Sequence, residues 1–184
     1  MCIRDSIYRI LAQADTQYSS WLHENGYLLH ERKRFKLFCY SPFIFEKVKP
    51  LPEAGCLNII GEKVVWYISF IPEKSTFEFI QGIFAHQSFT IGNKEHRVAF
   101  DVIGVEAMSM PQLTEQMAFQ AMSPICVKLH EENKTQYLSP DNPMFADGIL
   151  KGLKARYESI HGQPFDMNDK EFSFELTDNK VKSK

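Results

Sequence analysis

An α+β fold in two tandem ferredoxin-like (RRM-like) units is the prediction, and three features of the 184-residue sequence carry it. Residues 7 to 108 alternate between helical and extended periodicity in the order helix, strand, strand, helix, strand. Met110-Pro111-Gln112 then breaks the pattern as a linker. Beyond it the order is strand, helix, strand. A ferredoxin-like unit runs strand, helix, strand, strand, helix, strand. The first unit (7–110) therefore lacks its opening strand, and the second (113–184) is incomplete.

Each element has a local reason. Ile7, Leu11, Ala14, Tyr18 and Trp21 recur at helical spacing. Asp15-Thr16 starts a second short helix within that stretch, because an Asp carboxylate accepts from the free N–H groups of a helix start. Asn25-Gly26 stops it, which places His23 in the last helical turn. Phe35 to Val48 reads as an aromatic-rich strand interrupted at Pro42. Cys56–Ile60 and Val64–Phe70 read as strands joined by a hairpin turn at Gly61-Glu62. Pro72-Glu73-Lys74-Ser75 opens a helix whose apolar residues are Phe77, Ile80, Ile83 and Phe84. Gln87–Ile91 and Val98–Met108 flank a turn at Gly92-Asn93.

In the second unit, Met117–Glu131 is expected as a strand and Tyr137-Leu138 as a short extended piece. Asn142 caps the next helix, with Pro143 at its first position, where a missing N–H costs nothing. Phe145, Ile149, Leu153, Tyr157 and Ile160 mark its apolar face and Gly162 closes it. Phe172–Leu176 begins a last strand before a charged tail.

Composition bounds the function classes. Hydrophobic content of 44% and charged content of 24% are ordinary globular values and speak against overall disorder. Cys2, Cys39, Cys56 and Cys126 form no C-x-x-C pair, which argues against a zinc site or a disulfide scaffold and fits a reducing cytosol. No apolar run approaches membrane-spanning length, so the chain reads as soluble and cytoplasmic, with no membrane partner. The net charge of −2 is mild evidence against a nucleic-acid binder, but local charge matters more. From Glu31 to Lys49, six basic residues face two acidic ones. Taken alone, that run is a solvated face.

Several phrases, in order, resemble one family. They are Ile7-Tyr8-Arg9-Ile10-Leu11, Tyr18 to Glu24, Phe35 to Pro42, Met122-Ser123-Pro124-Ile125 and Tyr137 through Gly162. Each is weak alone; their order and spacing are similar to the CRISPR repeat-processing endoribonucleases, the sixth numbered Cas family of the RAMP superfamily. The resemblance implies tandem ferredoxin-like domains and metal-independent cleavage of CRISPR repeat RNA into guide RNAs. The ribose 2′-hydroxyl attacks its own phosphate, leaving a 2′,3′-cyclic phosphate and a 5′-hydroxyl. It implies no cofactor and no metal. Repeat RNA is the implied partner, with an effector complex and a second copy of the chain as further candidates.

By position, the family's tyrosine, histidine and lysine fall on Tyr8, His23 and Lys36. His23 is the general acid for the leaving 5′-oxygen, since the partial negative charge of a helix C-terminus favours imidazolium. Without the resemblance, a helix-terminal histidine is more often a simple capping residue. Tyr8 deprotonates or orients the 2′-hydroxyl, although a phenol is a poor base and a core tyrosine is the plain alternative. Lys36 stabilises charge developing on the phosphate, or is a strand-surface lysine on the face opposite Phe35 and Leu37. His30 is near enough in sequence to replace His23. His86, His96, His130 and His161 have no partner at metal-ligand spacing. Arg32, Lys33 and Arg34 are candidate RNA phosphate contacts.

Two departures from the family pattern set a further expectation. Met1 to Ser6 does not resemble the family's opening strand, and no glycine follows Phe165 where the family has a glycine-rich loop. The chain is accordingly expected to be a fragment cut at both ends, with Met1 to Ser6 foreign to it. As written it is expected to be poorly stable and inactive, because an unpaired sheet edge and apolar surface are left open. Rival readings are a non-catalytic repeat-RNA-binding or effector-complex subunit, a protein-binding module of the same fold and, more distantly, a metal nuclease.

Overall fold

The computed structural model describes residues 3–30, 33–131, 134–166 and 172–175. In chain order the elements are α1 (Ile3–Ala14), α2 (Thr16–Glu24), β1 (Tyr27–Leu29), β2 (Lys33–Phe35), β3 (Phe38–Tyr40), β4 (Ile44–Phe45) and β5 (Val48–Leu51). A 3₁₀ turn, Pro52–Ala54, precedes β6 (Cys56–Ile59), β7 (Val64–Val65), β8 (Ile68–Phe70), α3 (Glu73–Ala85), β9 (Ser88–Gly92) and β10 (Arg97–Asp101). The last elements are β11 (Val127–Glu131), β12 (Lys134–Leu138) and α4 (Met144–His161). They form two compact units. One joins Met1–Gly26 to Lys36–Ser123, and the other joins Tyr27–Phe35 to Pro124–Lys184.

In the first unit, the break between α1 and α2 falls where the sequence puts it. Asp15 is extended at φ −140°, and its carboxylate accepts from the Tyr18 backbone N–H at 2.8 Å. That hydrogen bond holds the Asp15 carboxyl below its ordinary range, and the Lys74 ammonium 3.6 Å away adds to the effect. The break also resets the buried stripe. Ile7, Leu11, Tyr18 and Leu22 are buried, whereas Ala14 and Trp21 of the expected face are exposed. Helix α1 starts at Ile3, a turn earlier than Ile7, and buries Ser6.

Helix α3 presents a different face from the expected one. Ser75, Phe79, Gly82 and Ile83 are buried, while Phe77 and Phe84 are 59% and 66% exposed. The reason is a close crossing with α1. A Cβ at Gly82 would overlap the Ile10 carbonyl oxygen, so only glycine permits the approach. Ser75 meets the Tyr18 hydroxyl in a buried hydrogen bond. Two small residues, Ser75 and Gly82, thus share the buried face with Phe79 and Ile83.

The expected hairpin turn at Gly61-Glu62 is corrected. Strands β3, β4 and β5 run out and β6, β7 and β8 return, with the turn at Pro52–Gly55. The pairs Phe38↔Phe70, Ile44↔Val65 and Val48↔Ile59 show register shifts between ladders, so Gly61-Glu62 lies in a bulge. Both Ile60 and Gly61 N–H groups donate to the Lys47 carbonyl there. The β9–β10 hairpin turns after Gly92 as expected, but β10 ends at Asp101 and residues 102–108 are irregular.

In the second unit, β11 pairs antiparallel with β12, and Val127, Leu138 and Phe145 form the core with Leu129, Ile149 and Phe174. Strand β11 covers only the end of the expected 117–131 strand; 117–126 has no regular structure. The Asn142 side chain accepts from Met144 N–H at 2.9 Å, and Gly162 ends α4 in a left-handed conformation. Leu150 is buried in α4, whereas Leu153 of the expected face is 52% exposed. Residues 172–175 are not in a strand, and Leu176 lies outside the described residues. The hairpin β1–β2 is one the sequence pattern does not disclose: Tyr27 pairs with Phe35 and Leu29 with Lys33.

The class is therefore mixed α+β. Among the described residues the strands pair as two-stranded antiparallel sheets. No described helix is long and apolar enough to cross a membrane.

Candidate active site

Helix α2 ends at Glu24, one residue after His23. Gly26 takes φ +67°, and the Asn25 and Gly26 N–H groups both donate to the Trp21 carbonyl. A helix end leaves carbonyls without intrahelical donors. Lys36 supplies one: its Nζ donates to the Leu22 and His23 carbonyl oxygens, each at 2.6 Å. The ammonium thus lies at the negative end of the α2 dipole, directly on the backbone that carries the imidazole.

This corrects the expected placement of Lys36. It falls between β2 and β3 rather than within a strand, and the next residue, buried Leu37, has φ +55°. A positive φ at a non-glycine residue breaks strand alternation, so facing rules do not apply here. The turn is what carries the lysine back to α2.

Tyr8 of α1 is buried, and its ring meets the His23 ring edge-on, with centroids 4.7 Å apart and planes at 88°. Phe38 packs on the Tyr8 ring at 5.8 Å. Ser19 Oγ donates to the Tyr8 carbonyl at 2.7 Å and ties α1 to α2 beside this contact. Burial pushes the Tyr8 phenol above its ordinary value, with Arg4 opposing. A phenol so held stays protonated at neutral pH. The imidazole of His23 itself is exposed and open to a ligand.

Tyr8, His23 and Lys36 thus come together in the first unit. Lys33 and Arg34 lie exposed on β2, in the second unit. Arg32 lies outside the described residues. His30 also belongs to the second unit, where its Nε2 is 3.0 Å from the Glu158 carboxylate. His161 packs on Tyr157, with ring centroids 4.1 Å apart. Among the described residues no three His, Cys, Asp or Glu side chains gather as a metal-binding group. Sequence reasoning missed Ser19 and Phe38 as supports of Tyr8. The signal was available in both: a serine on an apolar helix face, and an aromatic residue just after the site lysine.

The fold is shared with known proteins. A solved Cas6-related protein from Pyrococcus furiosus superposes with a TM-score of 0.69 at 22% identity, covering 88% of this chain and 63% of that one. A solved RAMP protein described as binding different RNA substrates gives a TM-score of 0.66 at 23% identity, covering 87% and 62%. A family model for the N-terminal part of CRISPR-associated protein Cas6 matches residues 2–100, and one for its C-terminal part matches 108–184. The chain belongs to the CRISPR-associated Cas6 family. A curated relative, CRISPR-associated endoribonuclease Cas6 1 of Methanocaldococcus jannaschii, is 26% identical over 178 residues. That match covers 95% of this chain and 63% of the relative, so the chain spans less than two thirds of its length.

Proposed function

We propose that this chain carries the active site of a metal-independent endoribonuclease that processes CRISPR repeat RNA into guide RNAs. The observation that carries the reading is the contact of the His23 imidazole with Tyr8, on a backbone held by Lys36, in a Cas6-family chain. The 2′-hydroxyl oxygen attacks the adjacent phosphorus and loses its proton to solvent. His23, as imidazolium, gives its proton to the departing 5′-oxygen. The products are a 2′,3′-cyclic phosphate and a 5′-hydroxyl. The neutral phenol of Tyr8 orients the imidazole and the ribose rather than taking a proton. Lys36 fixes the end of α2 and adds a positive charge near the phosphate.

Arg32, Lys33 and Arg34 contact phosphates of the same RNA and position it without reading its bases. The two ferredoxin-like domains, 7–110 and 113–184, form the RNA-binding frame of a cytoplasmic protein. An effector complex and a second copy of the chain are further partners. A second reading, an RNA-binding subunit that does not cut, draws on the engagement of Lys36 with backbone carbonyls.

The 184-residue chain alone is expected to cut poorly. The assay therefore compares it with a chimera in which it replaces the matched part of the Methanocaldococcus relative. The chimera should cleave repeat RNA at an undiminished rate in excess EDTA, with cyclic-phosphate ends. Cleavage abolished by EDTA and restored by magnesium would overturn the mechanism. Tight RNA binding without any cut would favour the non-catalytic reading.

A further inference from the structure

The chain enters the second unit early and leaves it again. The β1–β2 hairpin, Tyr27–Phe35, belongs to that unit, while the residues up to Gly26 and those from Lys36 belong to the first. A two-stranded hairpin is marginal by itself in water, so its place depends on what it packs against. Strand β1 packs on α4, and Leu29 is buried. At the base of the hairpin, where Tyr27 pairs with Phe35, the Arg156 guanidinium lies over the Phe35 ring at 5.4 Å. The same guanidinium donates to the Gly152 carbonyl at 2.8 Å, which fixes it on α4. At the far end His30 takes φ +49° and places Nε2 3.0 Å from the Glu158 carboxylate. Helix α4 thus holds the hairpin at both ends.

The joins back to the first unit are short, and both fall beside His23. Only Asn25 and Gly26 separate α2 from β1, and their N–H groups donate to the Trp21 carbonyl. Phe35 is the last residue of β2, and the next residue is Lys36, whose Nζ donates to the Leu22 and His23 carbonyls. The segment from His23 to Lys36 is therefore a loop closed at its base by the lysine. A shift of β2 on α4 reaches the ammonium through one peptide bond and one side chain. Short, rigid links of this kind carry energetic coupling between distant groups.

We propose that α4 positions the candidate active site through the chain: Arg156 and Glu158 hold the β1–β2 hairpin, the hairpin holds Lys36, and Lys36 holds the end of α2 that bears His23. Arg156 and Glu158 are positioning residues, acting through Lys36. The catalytic consequence rests on the reading of His23 and Lys36 as nuclease residues; the coupling itself does not.

The test follows amide hydrogen exchange by NMR in the 184-residue chain and in its Arg156→Ala/Glu158→Ala variant. Each lost contact shifts an exposed equilibrium by about 2- to 5-fold, so the hairpin amides should exchange roughly tenfold faster. The Asn25 and Gly26 amides should quicken with them by about threefold or more, as members of one opening unit. The His86 amide, bonded to the Gly82 carbonyl at the end of α3, should keep the parent rate. Faster exchange confined to the hairpin and α4 would make the two residues merely structural and overturn the proposal, as would an unchanged hairpin. Equal quickening at His86 would mean a general loss of stability and would also overturn it. In the Methanocaldococcus chimera the same variant should lower kcat for repeat-RNA cleavage about threefold or more, with KM within about twofold. Arg156→Lys with Glu158 intact returns a cation to the Phe35 ring and should recover part of the loss. A raised KM with unchanged kcat would make these residues RNA contacts and overturn the positioning role. A chimera that never cleaves would end the nuclease reading, while the exchange rates would still decide the coupling.

Discussion

Replacing His23 with alanine in the chimera should slow repeat-RNA cleavage by about 10²–10⁴-fold, the usual contribution of a positioned general acid. RNA affinity should remain within about twofold, since the deleted imidazole acts on the leaving oxygen and general-acid work adds little ground-state binding. The physical case is that His23 is exposed, in the last turn of α2, and braced on one side by the Tyr8 ring at 4.7 Å. The phenol next to it is a much weaker proton donor than an imidazolium, and burial weakens it further, so it replaces the histidine poorly. Equal cleavage by parent and His23→Ala would remove the histidine from the mechanism. A matched loss of affinity and rate would make it a binding residue.

Lys36→Met should have the next largest effect, and on two readouts at once. The ammonium donates to the Leu22 and His23 carbonyls, both at a helix end that has no other donor for them on its own element. Removing a charged donor from such acceptors costs roughly 1–3 kcal/mol, toward the low end here because the His23 side of the contact is exposed. The melting temperature should fall and the last turn of α2 should fray, carrying His23 off the Tyr8 ring. Cleavage should drop with it. Lys36→Arg, which keeps the charge and can reach a carbonyl, should recover stability and part of the rate. If Lys36→Met abolished cleavage without touching stability, the lysine would act on the phosphate alone.

The parts of this fold legible in the sequence were those with strong local chemistry. Asp15 announces a helix start by its carboxylate, and Gly26 and Gly162 announce helix ends by conformations other residues resist. The α3 face was not legible, because hydrophobicity favours Phe77 and Phe84 whereas the close approach to Ile10 selects Gly82 and the buried Tyr18 hydroxyl selects Ser75. Strand pairing was equally hidden. Gly61-Glu62 has the composition of a hairpin turn but sits in a bulge, since the ladder partners of β6 lie before Pro52. At the site, sequence order places Tyr8, His23 and Lys36 but says nothing of what Lys36 touches; that follows from the turn at Leu37.

The most direct measurement replaces the ribose at the scissile position of the repeat RNA with 2′-deoxyribose and follows both binding and cleavage by the chimera. Attack by the 2′-hydroxyl predicts unchanged affinity and no detectable product. Cleavage of the deoxy substrate at the parent rate would mean that another nucleophile does the work, and the assignment of Tyr8, His23 and Lys36 to this chemistry would be contradicted.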